Sequence, residues 1–289
     1  MKRPGIFDAH VDTLMRIRSP EEFLQGGGET QLDAPRALQA GITDLVTAVC
    51  AEAEGDPAEA MNRGFQYFEA LNGRTPFRIH LMLEGCGPLS EFPLRDQMLD
   101  RLKMATITWN GSNGLAGGIG TRDSLSAAGR ELALELAEKG ILIGLSHLCD
   151  ESRRDILSLG VPVVASHCNC RSLHGHPRNL PDDDIREIAA CGGVIGITFV
   201  GGFLSSPFAT VDDILDHLEH VADVAGMEAA GFGSDFDGTR DLPRGVRDCT
   251  VWPDLLEAMA DRGWSNNEIE AAAFGNWNRI MTENGQGDQ

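Results

Sequence analysis

Eight β-rich runs alternate with helical patterns along this chain, and that rhythm limits the fold more than any other feature. The runs are 5–10, 42–50, 78–84, 104–109, 141–147, 161–167, 193–200 and 230–235. Most are nearly continuous in apolar residues, as strands buried on both faces should be. Between them lie amphipathic stretches. Residues 57–72 bring Ala60, Phe65, Phe68 and Leu71 towards one stripe, and 124–139 do the same with Leu125, Leu132 and Leu136 before Gly140. Pro181 and three following Asp open a helix over 182–190, with acids where the helix dipole favours them. Residues 210–225 and 265–282 complete the set, with Thr210 and Ser265 as expected N-caps. The alternation predicts an α/β fold, a single-domain (β/α)8 TIM-like barrel spanning residues 1–289. An open doubly wound sheet is second, weakened because no Gly-x-Gly-x-x-Gly follows the first run.

At 289 residues the chain is long enough for such a core. Its net charge of -20, from 44 acidic and 24 basic residues, argues against nucleic-acid and polybasic membrane contacts. The seven cysteines are odd in number and not spaced as a disulfide framework, which favours reduced thiols in the cytoplasm. No signal peptide and no membrane-spanning run is read in the sequence, so the Asn110-Gly-Ser112 sequon carries no expectation.

In a barrel of this kind the active site lies at the C-terminal ends of the strands. The first run ends His10-Val-Asp12, and side chains two apart on a strand project to the same side. The third ends at Glu84, the fifth at His147, the sixth at His167 and the eighth at Asp235. Each alone would be an ordinary polar residue. Together, three His, two Asp and one Glu on five strand ends describe a metal site. Six ligands exceed what one catalytic zinc needs and suit two metals, with Glu84 as the natural bridge. Two metals would supply a nucleophile by lowering the pKa of bound water from 15.7 to about 7.

The stretches Phe7-Asp-Ala-His-Val-Asp12, Leu83-Glu-Gly85, Ile143-Gly-Leu-Ser-His147, Pro162-Val-Val-Ala-Ser-His167, Arg178-Asn-Leu-Pro-Asp-Asp183 and Gly231-Phe-Gly-Ser-Asp-Phe-Asp-Gly238 span nearly the whole chain. In content and order they resemble the membrane (renal) dipeptidase family, zinc metallopeptidases among the amidohydrolase-type barrels. The resemblance implies a binuclear zinc dipeptidase with two Zn2+ per chain, acting on small dipeptides. It implies that His10, Asp12 and Asp235 hold one zinc, that His147 and His167 hold the other, and that Glu84 bridges them. Asp235 would also take a proton from the bridging water and pass it to the departing amine. Arg178 would bind the terminal carboxylate, for which its planar fork is suited.

Two positions depart from the family pattern. Trp109 stands where some relatives carry a substrate-contacting His, and Phe203 aligns with a Tyr near the substrate. Both are expected on the substrate side. Cys168 and Cys170 read as bystander thiols, His174 and His176 as solvated loop residues, and Gly117-Gly118 and Gly201-Gly202 as turns. Asp237 is left between a supporting role and a loop cap. The rival activity is hydrolysis of another small amide, a lactam or an N-acyl amino acid. A noncatalytic barrel is the third reading. Homodimerisation is left open.

Overall fold

The computed structural model describes residues 4–52 and 55–283. Its strands are β1 (Ile6–Val11), β2 (Ile42–Cys50), β3 (Arg78–Glu84), β4 (Leu102–Thr106), β5 (Leu142–Gly144), β6 (Val163–Val164), β7 (Ile195–Ile197) and β8 (Ala230–Phe232). β1 to β6 pair in chain order as one parallel sheet, and β7 pairs with β8 as a second. The architecture is α/β with a curled parallel sheet.

The curl has a physical signature. One apolar cluster takes Phe7 and Ala9 from β1, Val46, Met82, Met104, Leu142 and Val164 from β2 to β6, and Val194 just before β7. Side chains from so many successive strands meet only if the sheet rolls around them. Trp277, Ile280 and Met281 of the last helix, Asn276–Glu283, complete this cluster. The larger cluster packs outward-facing strand residues such as Leu45, Leu81 and Ile143 against helix residues such as Phe65, Leu136 and Ile188.

The two sheets meet along two seams made of single bridges. At one, Ala165 bridges Ile195, and the Gly196 amide donates to the Ala165 carbonyl at 2.7 Å. At the other, Val11 bridges Phe236, and the Asp235 amide donates to the His10 carbonyl at 3.0 Å. Asp8 reinforces the second seam. Its buried carboxylate accepts from the Ser234 amide at 2.8 Å and the Ser234 hydroxyl at 2.6 Å.

β2 and β3 match the expected runs, while β5 to β8 are shorter than the runs that contain them. Hydrophobicity outlasts the ladder there: Leu145, Ala165 and Phe236 are buried beyond their strands. β4 starts earlier than expected and ends at Thr106. The helices Pro57–Leu71, Ala127–Glu138, Asp182–Ala190 and Val211–Ala225 fall in the expected stretches. The expected 265–282 helix is broken by a π turn over Ala271–Gly275. Ser265 caps its first part, accepting from the Glu268 amide while Glu268 accepts from the Ser265 amide. Helices at Pro20–Gln25, Ala34–Ala40, Asp150–Leu157 and Trp252–Asp261 were not singled out in the sequence.

Candidate metal centre

The C-terminal strand ends bring the expected side chains to one place. His10 Nε2 lies 3.4 Å from Asp12 Oδ2, 3.7 Å from Glu84 Oε1 and 3.9 Å from Asp235 Oδ1. Glu84 Oε1 lies 3.0 Å from His147 Nε2 and 3.5 Å from His167 Nε2, and those two nitrogens are 2.9 Å apart. Two sets of donor atoms are close enough to hold a metal: His10, Glu84 and His167, and His10, Asp12 and Asp235.

Local backbone aims these groups. Asp12 sits one residue past β1, and Glu84 is the last residue of β3. His147 and Asp235 turn out of their strands with φ of 71° and 65°, a left-handed conformation rare outside glycine. Such backbone clusters at functional sites. Gly238 follows in the same turn. A side chain there would run into the carboxylates of both Asp12 and Asp235.

The histidines are set as lone-pair donors. His147 Nδ1 lies 3.0 Å from Asn110 Oδ1, to which it can donate, and His167 Nδ1 lies 2.8 Å from Ser166 Oγ, which can accept or donate. Donation from Nδ1 in both rings would leave Nε2 unprotonated towards Glu84, the arrangement by which supporting groups orient metal-binding imidazoles. Burial, then the charge of Arg178, lowers the His147 pKa to about 4. Burial, then His10, holds His167 well below its usual range. Burial also works against charge on His10, but Glu84 and Asp12 outweigh it and raise that pKa to about 9. Asp235 is pushed up by burial and by the neighbouring Asp12 carboxylate. His10 Nε2 and Glu84 Oε1 are buried with no hydrogen-bond partner. Unpaired buried polar atoms amid crowded carboxylates are costly unless a cation joins them, so the donor set fits a divalent metal.

A cavity of about 860 Å3 opens over these ligands. Arg178 is buried in its wall, 6% exposed, and has no carboxylate partner among the described residues. Its Nη2 lies 3.1 Å from His147 Nε2. Trp109 and Phe203 both line the cavity, and the Trp109 ring lies 6.0 Å from that of His147. His176 corrects the expectation of a solvated residue: it lines the cavity half-buried, stacked on Phe203 at 4.4 Å. Asp237 is a loop tie, accepting from the Thr13 hydroxyl and the Gln31 amide, each at 2.6 Å. Gly201 and Gly202 donate their amides to Asp241, and Cys168 and Cys170 are buried free thiols. Asn110, Ser166 and Asp8 have parts here that the sequence did not single out. For Asp8 a signal was present, its place inside the Phe7–Asp12 stretch.

Fold and site thus define an α/β protein that gathers a metal-ligand set at the C-terminal ends of parallel strands. The chain belongs to the membrane dipeptidase family (peptidase family M19), whose family model matches residues 74–287. It is 34% identical over 187 residues to an uncharacterised dipeptidase of Schizosaccharomyces pombe, covering 62% of this chain and 46% of that protein. The match therefore spans about half the length of that curated relative. A metallopeptidase of Rhodobacter sphaeroides, solved with a phosphinate mimic of the dipeptide L-Ala-D-Ala, superposes with a TM-score of 0.88 at 23% identity, over 98% of this chain and 100% of that one. The probable dipeptidase PvdM of Pseudomonas aeruginosa superposes with a TM-score of 0.85 at 18% identity, over 98% and 96% of the two chains.

Proposed function

We propose that the protein is a metal-dependent dipeptidase with two zinc ions per chain, built as one closed (β/α)8 barrel domain over residues 1–289. The bridges at both seams and the shared interior cluster support closure of the barrel. Family membership supports a metal, and six donor side chains gathered around Glu84, more than one catalytic ion takes, support two. His10, Asp12 and Asp235 would hold one ion, His147 and His167 the other, with Glu84 between them. When bound, the ions supply Lewis-acid polarisation and a water of lowered pKa.

The observation that carries the dipeptide reading is Arg178, a buried guanidinium on the wall of the same cavity with no carboxylate of its own. It would pair with the free C-terminal carboxylate and fix the peptide carbonyl over the ligand set. Asp235 would take the proton of the attacking water and deliver it to the leaving amine nitrogen. Trp109 and Phe203 would form apolar walls beside the substrate. The seven cysteines, all free, support a reducing, cytoplasmic setting. No helix among the described residues is long and apolar enough to cross a membrane.

The test compares dipeptides, with L- and D-residues in the second position, against their C-terminal amides. The free acids should be cleaved with much higher kcat/KM, and the gap should narrow in Arg178→Ala. Equal cleavage of acid and amide would move the activity to a general amide hydrolase.

A further inference from the structure

The ligand-bearing cavity has a second cationic side that the roles above leave unused. Arg16, at the end of the helix Thr13–Arg16 after β1, and Arg63, on the helix Pro57–Leu71 after β2, both line it. Both are exposed to the solvent-filled space, and neither has an ion-pair partner among the described residues. Exposed Arg122, Arg130, Arg240 and Arg247 likewise have no ion pair among the described residues, but other surface arginines find carboxylates. Arg18, Arg36, Arg74 and Arg262 all do so. Among the described residues the carboxylates on the cavity wall are Asp12, Glu84 and Asp235, which belong to the proposed ligand set.

Arg16 is also held in place. Its Nε donates to the Asp237 carbonyl at 2.8 Å, in the loop that Thr13 and Gln31 tie down. That leaves the outer nitrogens of its fork available to a ligand. Arg178 reaches the cavity from the loop after β6, whereas Arg16 and Arg63 come from β1 and β2. In the proposed eight-stranded barrel β2 stands opposite β6, which would set the two cationic sides across the ligand set from each other.

We propose that Arg16 and Arg63 select dipeptides whose amino-terminal residue carries a side-chain carboxylate. The inference rests on the dipeptidase reading. With the C-terminal carboxylate on Arg178 and the scissile bond over the ligands, the amino-terminal residue extends towards the opposite wall. A Glu or Asp side chain there meets two guanidinium groups. A Lys or Arg side chain meets like charge and is disfavoured. A solvent-facing pair acts at modest strength and is screened by salt.

The experiment uses metal-loaded enzyme with L-Glu-Ala and L-Gln-Ala, each with D- and L-Ala, and with Ala-Glu and Ala-Gln as the reversed set. At low ionic strength kcat/KM for Glu-Ala should exceed that for Gln-Ala by about tenfold, the scale of a charge-assisted hydrogen bond. The difference should lie mainly in KM and shrink in high salt. In the Arg16→Gln/Arg63→Gln double variant the Glu-to-Gln ratio should fall towards one. A wild-type ratio of one or below overturns the inference while leaving the dipeptidase reading intact. A preference seen only in the reversed set overturns it by moving the carboxylate to the other residue. A ratio retained in the double variant removes the two arginines as its source. Failure to cleave any of these dipeptides overturns the dipeptidase reading and this inference with it.

Discussion

Asp235 and Asn110 separate two kinds of contribution at the scale of single residues. Asp235 is proposed as both ligand and proton carrier. Asp235→Asn keeps its shape and removes the base, so turnover should fall by at least about 10²–10⁴-fold in protein that elemental analysis shows to be metal-replete. Near-normal turnover would place the base elsewhere, and Asp237 is a poor substitute because Thr13 and Gln31 occupy its oxygens. Asn110 lines the cavity and accepts from His147 Nδ1. Asn110→Ala should weaken metal affinity by about 10–100-fold, as loss of such supporting groups does, read by chelator competition. Unchanged affinity would mean that packing alone orients the ring. The six side chains that meet at the site were legible in the sequence because strand ends are where side chains of several strands converge, and because His is scarce in this chain. Asn110 was not, since a loop Asn has no pattern that tells a ring support from a turn. Nor was the left-handed backbone of His147 and Asp235, which neither residue type announces.

Among the elements, the loop that carries Arg178 depends on a charged clamp. Arg171 binds both oxygens of Asp150 at 2.8 Å and also donates to the carbonyls of Asn179 and Pro177. Asp150 is shared with Arg153, which is buried and also pairs with Asp184. The clamp ties the loop after β6 to the helices Asp150–Leu157 and Asp182–Ala190. Arg171→Ala should let Arg178 wander, raising KM for dipeptides more than it lowers kcat, with a total loss of up to about 10²-fold. A fall in kcat alone would show that the loop acts on the chemistry rather than on carboxylate binding. Trp252–Asp261 has an apolar stripe of Trp252, Leu255, Leu256 and Met259 and was still passed over, whereas the helices Pro57–Leu71 and Val211–Ala225 were legible in the sequence. Asp150–Leu157 was not, because Arg153 and Ser152 are among its buried residues and break the apolar period. The strand ends were overextended for the opposite reason, since buried apolar residues continue past the last ladder bond into the site loops.

For the whole molecule, the division of the sheet matters more than its strand count. Five of the six proposed ligands belong to β1, β3, β5 and β6 or their loops, on the six-stranded sheet. Asp235 alone follows β8, in the two-stranded one. An ion held by His10, Asp12 and Asp235 would therefore staple the two sheets across the seam that Asp8 and Ser234 also close. Excess metal at about 100 times its Kd would stabilise the folded chain by about 2.7 kcal/mol. If that gain is felt at the seam, amide exchange in Ile195–Ile197 and Ala230–Phe232 should slow on metal loading more than in Ile42–Cys50. Equal slowing everywhere would mean that the sheets open only together. The staple also sets a clock on metal escape. An ion clasped from both sides leaves when the sheets part, so stripping by a chelator should accelerate with chelator concentration and then level off at the rate of parting. That plateau would measure how often the molecule breathes along its weakest line.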